Sequence, residues 1–110
     1  MENNNDIKTI ISQCIKKGNI AFKKHAFVRM EERSIRIADI LLVLKNGEVI
    51  KKYDEDKPFP SYLILGYDET NRPIHVILAI DKGKNFIWII TVYEPDKNIW
   101  DSEFKRRIKI

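Results

Sequence analysis

Residues 73–93 have the sequence PIHVILAIDKGKNFIWIITVY, and this stretch decides the fold of the chain. Two runs rich in β-branched and aromatic residues, 73–81 and 86–93, flank a short turn that contains Gly83, which predicts a pair of antiparallel strands. Both runs are apolar on both of their alternating faces, so both strands are predicted to be buried on each side. The sequence therefore predicts that these strands are central in a sheet.

Two further strands are predicted before this pair, at Glu48–Tyr53 and Ser61–Tyr67. Prolines at positions 58 and 60 separate them, and a turn at residues 68–71 leads into the strand that begins at Pro73. The order of the strands and their short connections predict a four-stranded, mainly antiparallel sheet.

The first half of the chain has helical periodicity. Asp6 can cap a helix whose apolar positions follow a 3.6-residue spacing as far as Gly18. A second helix is predicted from about Ile20 to Arg33, and a third from near Ser34 to residues 46–47. The predicted fold class is α+β, with the N-terminal helices packed on one face of the sheet.

The composition predicts one small domain. A chain of 110 residues with 44% hydrophobic residues can bury one core, so residues 1–110 are expected to form a single unit with residues 1–5 disordered. The sequence shows no signal peptide and no apolar run of membrane-spanning length, which predicts a cytoplasmic protein. The single cysteine, Cys14, excludes an internal disulfide and is expected to be buried. The net charge of +4 permits nucleic-acid binding without establishing it.

Three basic residues, His25, Arg29 and Arg33, recur every four residues in the second predicted helix. On a helix they form one stripe over roughly 80° of the circumference, called the basic stripe below. Ala26 and Met30 lie beside and between them, so the stripe is predicted to lie where the helix meets the rest of the fold. Because like charges at this spacing repel each other, a nearby anion is expected, either a carboxylate or a phosphate.

The basic stripe is the first of several short segments that follow one another along the chain. They are His25-x3-Arg29-Met30-x-Glu32-Arg33-x-Ile35, a helix that contains Asp39, Gly47-Glu48-Val49-Ile50, Leu63-x-Leu65-Gly66, Ile74-His75-Val76 and Thr91-Val92-Tyr93-x-Pro95. In order and in spacing these segments resemble the pattern of the DUF4258 family, and the resemblance covers roughly residues 20–100.

The resemblance implies a fold of the toxin-type endoribonuclease group of the barnase, colicin and RelE kind. It also implies an activity, the cleavage of RNA by an mRNA interferase that is the toxin of a type II toxin–antitoxin pair. The partners implied are RNA, including ribosome-bound mRNA, and an antitoxin protein. No cofactor, metal or membrane partner is expected.

The side chains needed for metal-independent RNA cleavage are present in the sequence. Such cleavage needs a base for the ribose 2′-hydroxyl, cations for the developing charge and an acid for the leaving 5′-oxygen. His25 suits the base or the acid because it titrates near neutral pH, and Arg29 and Arg33 suit the phosphate. Tyr93 could donate a proton or stack on a base, and His75 would complete a histidine pair if its strand lay under the second helix.

Basic residues outside the stripe are candidates for contacts with flanking RNA: Lys24, Lys105, Arg106 and Arg107. Trp88 is expected in the core, and Trp100 is expected to pack the C-terminal segment back onto the fold.

The alternative function is a non-catalytic toxin-like domain that binds RNA or a protein partner. In that case the basic stripe would be a structural ion-pair network that uses Glu32, Asp39 or Glu48 to hold the helix to the sheet.

Overall fold

The computed structural model describes residues 3–108, which fold into three helices and five strands. In chain order these are α1 (Asn4–Lys16), β1 (Ile20–Phe22), α2 (Lys24–Arg33), α3 (Ile37–Asn46), β2 (Glu48–Tyr53), β3 (Ser61–Tyr67), β4 (Pro73–Asp81) and β5 (Phe86–Tyr93). No helix within this part of the chain is long and apolar enough to span a bilayer.

α1 begins inside the segment predicted to be disordered, because Asn3 and Asp6 cap it. Each side chain accepts a hydrogen bond from the backbone N–H of the other, at 2.9 Å for Asn3 Oδ1 and 3.2 Å for Asp6 Oδ2. Residues 1 and 2 of the same segment lie outside the described residues.

The five strands form one mixed sheet in the order β1-β5-β4-β3-β2. Antiparallel ladders join β2 to β3, β3 to β4 and β4 to β5, whereas β1 pairs with β5 in parallel. The strands predicted from the sequence are all present with the predicted bounds, and β4 and β5 are interior as predicted. The α+β class is confirmed, with five strands in place of the four predicted from the sequence.

The additional strand, β1, occupies the start of the second predicted helix, and the helical prediction is wrong for residues 20–22. Ile20 pairs with Ile87 and Phe22 with Ile89, and the Lys23 N–H donates to the Ile89 carbonyl at 2.8 Å. The edge of β5 would otherwise carry unpaired backbone groups, and Ile and Phe favour strands. Pairing at the sheet edge therefore outweighs the local helical pattern.

α2 ends where predicted, but α3 begins at Ile37 rather than near Ser34. Ser34 adopts a left-handed backbone conformation with φ 54°, which stops α2. At the start of α3, the Arg36 N–H donates to Asp39 Oδ2 at 2.8 Å.

All three helices pack on one face of the sheet and form the core there. Their core residues are Ile7, Ile11 and Cys14 in α1, Ala26 and Met30 in α2, and Ile40, Val43 and Leu44 in α3. Cys14 is fully buried, as expected. The contact between α3 and β3 requires a glycine, because a Cβ at Gly66 would lie 2.8 Å from Val43 Cγ1.

Candidate functional site

The opposite face of the sheet, called the open face below, carries none of the three helices. Because successive side chains of a strand point to opposite faces, Ile74 and Val76 in the core place His75 on the open face. The strand register places further residues there, namely Lys51, Tyr53, Ser61, Leu63, Leu65, Tyr67, Ala79, Trp88 and Tyr93. Trp88 is therefore half-buried and not in the core, since its neighbours in β5 take the core positions.

Trp100 packs the C-terminal segment onto the open face, as predicted. Its ring meets His75 edge-on, with centroids 4.5 Å apart, and an isolated bridge joins Trp100 to Arg107. Phe104, which has a φ of 61°, directs its carbonyl oxygen to His75 Nε2 at 2.7 Å. Together with the sheet, this segment leaves His75 0% exposed.

His75 and Tyr93 face each other across β4 and β5 and form a hydrogen-bonded pair. The Tyr93 hydroxyl lies 3.1 Å from His75 Nδ1. Because a carbonyl oxygen can only accept, Nε2 carries the proton that is bonded to Phe104, and Nδ1 accepts from the Tyr93 hydroxyl. The imidazole is therefore held in one tautomer, and its basic nitrogen, Nδ1, is hydrogen-bonded to the half-buried Tyr93.

Burial shifts the ionisation of both members of the pair. It lowers the pKa of His75, and the hydrogen bond to the Phe104 carbonyl partly opposes this shift. For Tyr93, burial and the neighbouring Tyr53 raise the pKa, whereas the positive charge of Arg107 lowers it. At neutral pH His75 is thus a neutral acceptor and Tyr93 a protonated donor.

Tyr53, Trp88 and Trp100 on this side of the molecule are each paired with a cation. The pairs are Lys51–Tyr53, Lys23–Trp88 and Arg107–Trp100, with 5.4, 4.7 and 5.6 Å from the Lys Nζ or Arg Cζ atom to the ring centroid. Rings that stack and cations that bind phosphate are the two components of single-strand nucleic-acid surfaces.

The basic stripe lies on the surface of α2. His25 and Arg33 are exposed, and the Arg29 side chain is 39% exposed. Arg29 Nε donates to His25 Nε2 at 3.4 Å, and its Nη1 forms an ion pair with Glu32 at 3.1 Å. The stripe is therefore held by contacts within its own helix.

Of the carboxylates considered as partners of the stripe, only Glu32 contacts it within residues 3–108. Asp39 binds Arg36 at 3.0 Å, and Glu48 binds Lys105 at 3.0 Å. Because Glu32 lies on α2 and is half exposed, its ion pair does not tie the helix to the sheet. The stripe is an exposed basic surface and does not form the inter-element network that the alternative function expects.

The structure brings Tyr93 together with His75 but not with the basic stripe. α2 packs Ala26 and Met30 into the core on the helical side of the sheet, whereas His75 and Tyr93 lie on the open face. The sheet lies between the two groups, so they do not form the walls of one cleft.

The remaining basic candidates are dispersed. Lys24 is exposed at the first position of α2, and Arg106 is exposed in the C-terminal segment. Lys105 binds Glu48, and this hydrogen bond raises the pKa of Lys105. Of these basic candidates, only Arg107 acts electrostatically on the Tyr93 hydroxyl.

Three contributors to the open face were not predicted as site residues, namely Lys23, Lys51 and Tyr53. The alternation of β2 places Lys51 and Tyr53 on one face, so a signal for these two was available. No pattern could have identified Phe104, because its contribution is a backbone carbonyl placed by a left-handed φ of 61°.

A family model described as "Domain of unknown function (DUF4258)" matches residues 22–94. No curated protein and no solved structure matches the chain. The matched range includes the basic stripe and the His75–Tyr93 pair, whereas the segment that carries Trp100 and Phe104 lies beyond it. Within residues 3–108, no group of three or more His, Cys, Asp or Glu side chains is placed to hold a metal ion.

Proposed function

Because the chain belongs to the DUF4258 family, described only as a domain of unknown function, we propose an activity from the site itself. The proposed activity is that of a metal-independent endoribonuclease that binds RNA on the open face and cleaves it at Tyr93. The observation that carries this proposal is the half-buried Tyr93 hydroxyl, bonded at 3.1 Å to the buried His75. The proposed setting is a cytoplasmic toxin of a type II toxin–antitoxin pair, with an antitoxin protein as its partner.

The surface around Tyr93 supports RNA as the substrate. Tyr53 and Trp88 are half-buried rings on which unpaired bases can stack, and every base has a face that suits such stacking. Lys51 and Lys23 lie beside these rings and can pair with the phosphates that connect the stacked bases.

In the proposed reaction, Tyr93 and His75 act together as the base. As the ribose 2′-oxygen attacks phosphorus, its proton passes to the Tyr93 oxygen while the Tyr93 proton passes to His75 Nδ1. The bond between phosphorus and the 5′-oxygen breaks, and that oxygen leaves with a proton from water. The products are a 2′,3′-cyclic phosphate and a 5′-hydroxyl, and His75 then returns its proton through Tyr93 to solvent.

Two neighbouring groups support this step. The Phe104 carbonyl accepts from His75 Nε2 at 2.7 Å, which orients the ring and stabilises the imidazolium while it exists. The guanidinium of Arg107 acts on Tyr93 and would stabilise the charge that develops on the phosphorane oxygens. Tyr93 would be the catalytic residue, and His75 a positioning residue that acts through it.

A non-catalytic domain that binds RNA or a protein is the second candidate, and the burial of His75 favours it. A histidine that is 0% exposed and bonded at both ring nitrogens also fits a structural role. In that case the pair would hold the C-terminal segment against the sheet, and the open face would bind without cleavage.

The test is incubation of end-labelled RNA with the protein in EDTA, with and without ribosomes. Wild type should yield 2′,3′-cyclic phosphate ends, and Tyr93→Phe should lose about 100-fold in rate. Tyr67→Phe is the matched control, since Tyr67 is an exposed phenol on the same face at 40% exposure. Salt-sensitive RNA binding without products would favour the second candidate, and full activity of Tyr93→Phe would contradict the assigned role.

A further inference from the structure

A pocket of about 390 Å³ opens on the open face between Trp88 of β5 and the loop that follows β2. Its apolar lining includes Trp88, Ile90, Ala79 and Phe59. Its charged residues are Lys23, Asp56 and Lys57. The pocket is separate from the Tyr93–His75 pair and takes no part in the proposed proton transfer.

The strand register explains why a pocket forms here. Trp88 lies directly opposite Ala79, and Ala79 lies directly opposite Ser61, so one row crosses β5, β4 and β3. Neighbouring strands are about 4.8 Å apart, which places Trp88 and Ser61 about 10 Å from each other. Ala79 and Ser61, the other two residues of this row, are small and form a shallow floor. The Trp88 indole forms one wall beside this floor, and the loop after β2 forms the opposite wall.

The polar groups of the pocket are arranged around a carboxylate. The Ser61 hydroxyl is buried, with 1% of the residue exposed, and donates to Asp56 Oδ2. This hydrogen bond holds the exposed Asp56 carboxylate at the pocket while leaving acceptor capacity on both of its oxygens. The Lys23 ammonium, which lies 4.7 Å from the Trp88 ring centroid, adds a positive charge.

We propose that this pocket binds one guanine base of the RNA, an inference that rests on the proposed function and narrows its substrate. The Trp88 indole provides a stacking surface of the right kind for a planar base. Guanine presents two adjacent donors, N1–H and the 2-amino group, which match the two oxygens of one carboxylate, Asp56. When the base stacks on Trp88, the exposed Lys23 side chain moves its ammonium from the ring to the O6 and N7 acceptors of guanine.

The other bases match this set of groups less well. Adenine and cytosine offer one amino group next to a ring nitrogen that accepts, so the second Asp56 oxygen would face a lone pair. Uracil offers a single imino donor between two carbonyl oxygens, which the carboxylate repels. The pocket therefore selects guanine by what it repels as well as by what it binds.

The pocket would bind a base that lies at a fixed distance from the cleaved bond. Trp88 and Tyr93 lie opposite Ala79 and His75 of β4, so about 13 Å separates them along the sheet at the usual rise per residue of a strand. A base bound at Trp88 is therefore not the base at the scissile phosphate, and the pocket would set the position of cleavage relative to a guanosine.

The first experiment measures the binding of nucleoside monophosphates by calorimetry. GMP should bind wild type about tenfold or more tighter than AMP, CMP or UMP, and IMP, which lacks the 2-amino group, should bind more weakly than GMP. Asp56→Asn should remove this preference, because an amide places a donor where guanine needs an acceptor. The matched control is Asp54→Asn, since Asp54 is exposed in the same loop and does not line the pocket.

A second variant tests the space itself. Ala79→Leu fills the floor of the pocket and should weaken binding of GMP at least tenfold, with its thermal unfolding measured to show that the fold is retained. Equal binding of the four nucleotides by wild type, or an unchanged preference for GMP in Asp56→Asn, would overturn the proposal.

The RNA arm separates this inference from the proposed function. Oligonucleotides with a single guanosine should be cut at a constant distance from it, and replacement of that guanosine by inosine should reduce the rate. Cleavage without such a dependence leaves the endoribonuclease intact and overturns the guanine pocket. Selective binding of GMP by a protein that cleaves no RNA overturns the endoribonuclease and supports the pocket.

Discussion

The basic stripe of α2 and the Tyr93–His75 pair contain the same kinds of side chain that RNA cleavage needs, but they are held in different ways. The stripe is exposed, and its contacts come from Glu32 and from its own members on one helix. The pair lies across two strands, with His75 0% exposed and bonded at both ring nitrogens.

The difference shows why spacing alone is weak evidence for a catalytic site. Exposed groups on one helix retain their rotamer freedom and are screened by water, so their positions are not fixed relative to a reacting atom. Groups held by burial and hydrogen bonds are preorganised before the substrate arrives. The open face is therefore the better candidate for a catalytic site, and the basic stripe remains a surface that RNA or a partner can contact.

The largest expected effect is a loss of stability when Trp100, which covers His75 on the open face, is truncated. Trp100→Ala should destabilise the protein by about 3 kcal/mol, because the indole is 8% exposed and packs on His75 at 4.5 Å. Urea unfolding measures the change. The matched control is Ile99→Ala, since Ile99 is the preceding residue and is 45% exposed, and it should cost about 0.5 kcal/mol or less. Equal losses in the two variants would contradict the role of Trp100.

The next effect separates the two regions by activity. Tyr93→Phe should lower the rate of RNA cleavage by about 100-fold because it removes the only atom of the pair that can reach substrate. Arg29→Ala and His25→Ala should change the rate by about threefold or less, since the sheet lies between them and Tyr93. Single-turnover kinetics check this, and a larger loss in the stripe variants would move the active site to α2.

A smaller effect concerns pH. Burial holds the pKa of His75 below its usual 6.5, so Nδ1 stays unprotonated and cleavage should persist as the pH falls through 6.5. In the unfolded chain the same group binds a proton near pH 6.5, so its contribution to stability is complete above that pH. That contribution is lost as the pH falls towards the folded pKa. Rate and unfolding profiles measure both trends, with His25→Gln as the control that should leave them unchanged.

The smallest effect is expected at Arg33. Its guanidinium makes no hydrogen bond or ion pair within residues 3–108, so Arg33→Ala should change the free energy of unfolding by about 0.5 kcal/mol or less. Arg72→Ala is the contrasting variant, because Arg72 binds Asp68 at 3.0 Å and the carbonyls of Arg33 and Ser34 at 2.9 and 3.0 Å. That variant should cost about 1–3 kcal/mol by thermal or urea unfolding. A large loss of stability in Arg33→Ala would support the alternative in which the basic stripe is a structural ion-pair network.

The network around Asp68 also shows how hydrogen bonds outweigh burial. Burial raises the pKa of Asp68, but hydrogen bonds from the backbone and side chains of Arg72 and Thr70 lower it to about 2. Its contribution to stability is therefore present above its usual pKa of 3.8 and is lost as the pH falls towards 2.

Much of the fold could be predicted because the strands obey a local rule. Runs that are apolar on one or on both alternating faces predicted the bounds of β2 to β5. The runs that are apolar on both faces predicted that β4 and β5 are interior strands of the sheet. β1 could not be predicted in this way, because residues 20–22 form a strand only where the edge of β5 is available. Trp88 was misplaced for a related reason, since the register decides which face of β5 is core.

The sequence by itself determined the order of the three helices and of β2 to β5, most of the apolar core and the identity of the reactive side chains, since these depend on local periodicity and on residue chemistry. Only the tertiary structure decided which of those side chains meet. His75 and Tyr93 are joined by strand register, and Phe104 enters through a backbone carbonyl, whereas the basic stripe is kept apart by the sheet. Contacts between residues far apart in the chain depend on the packing of whole elements, and no local pattern encodes them.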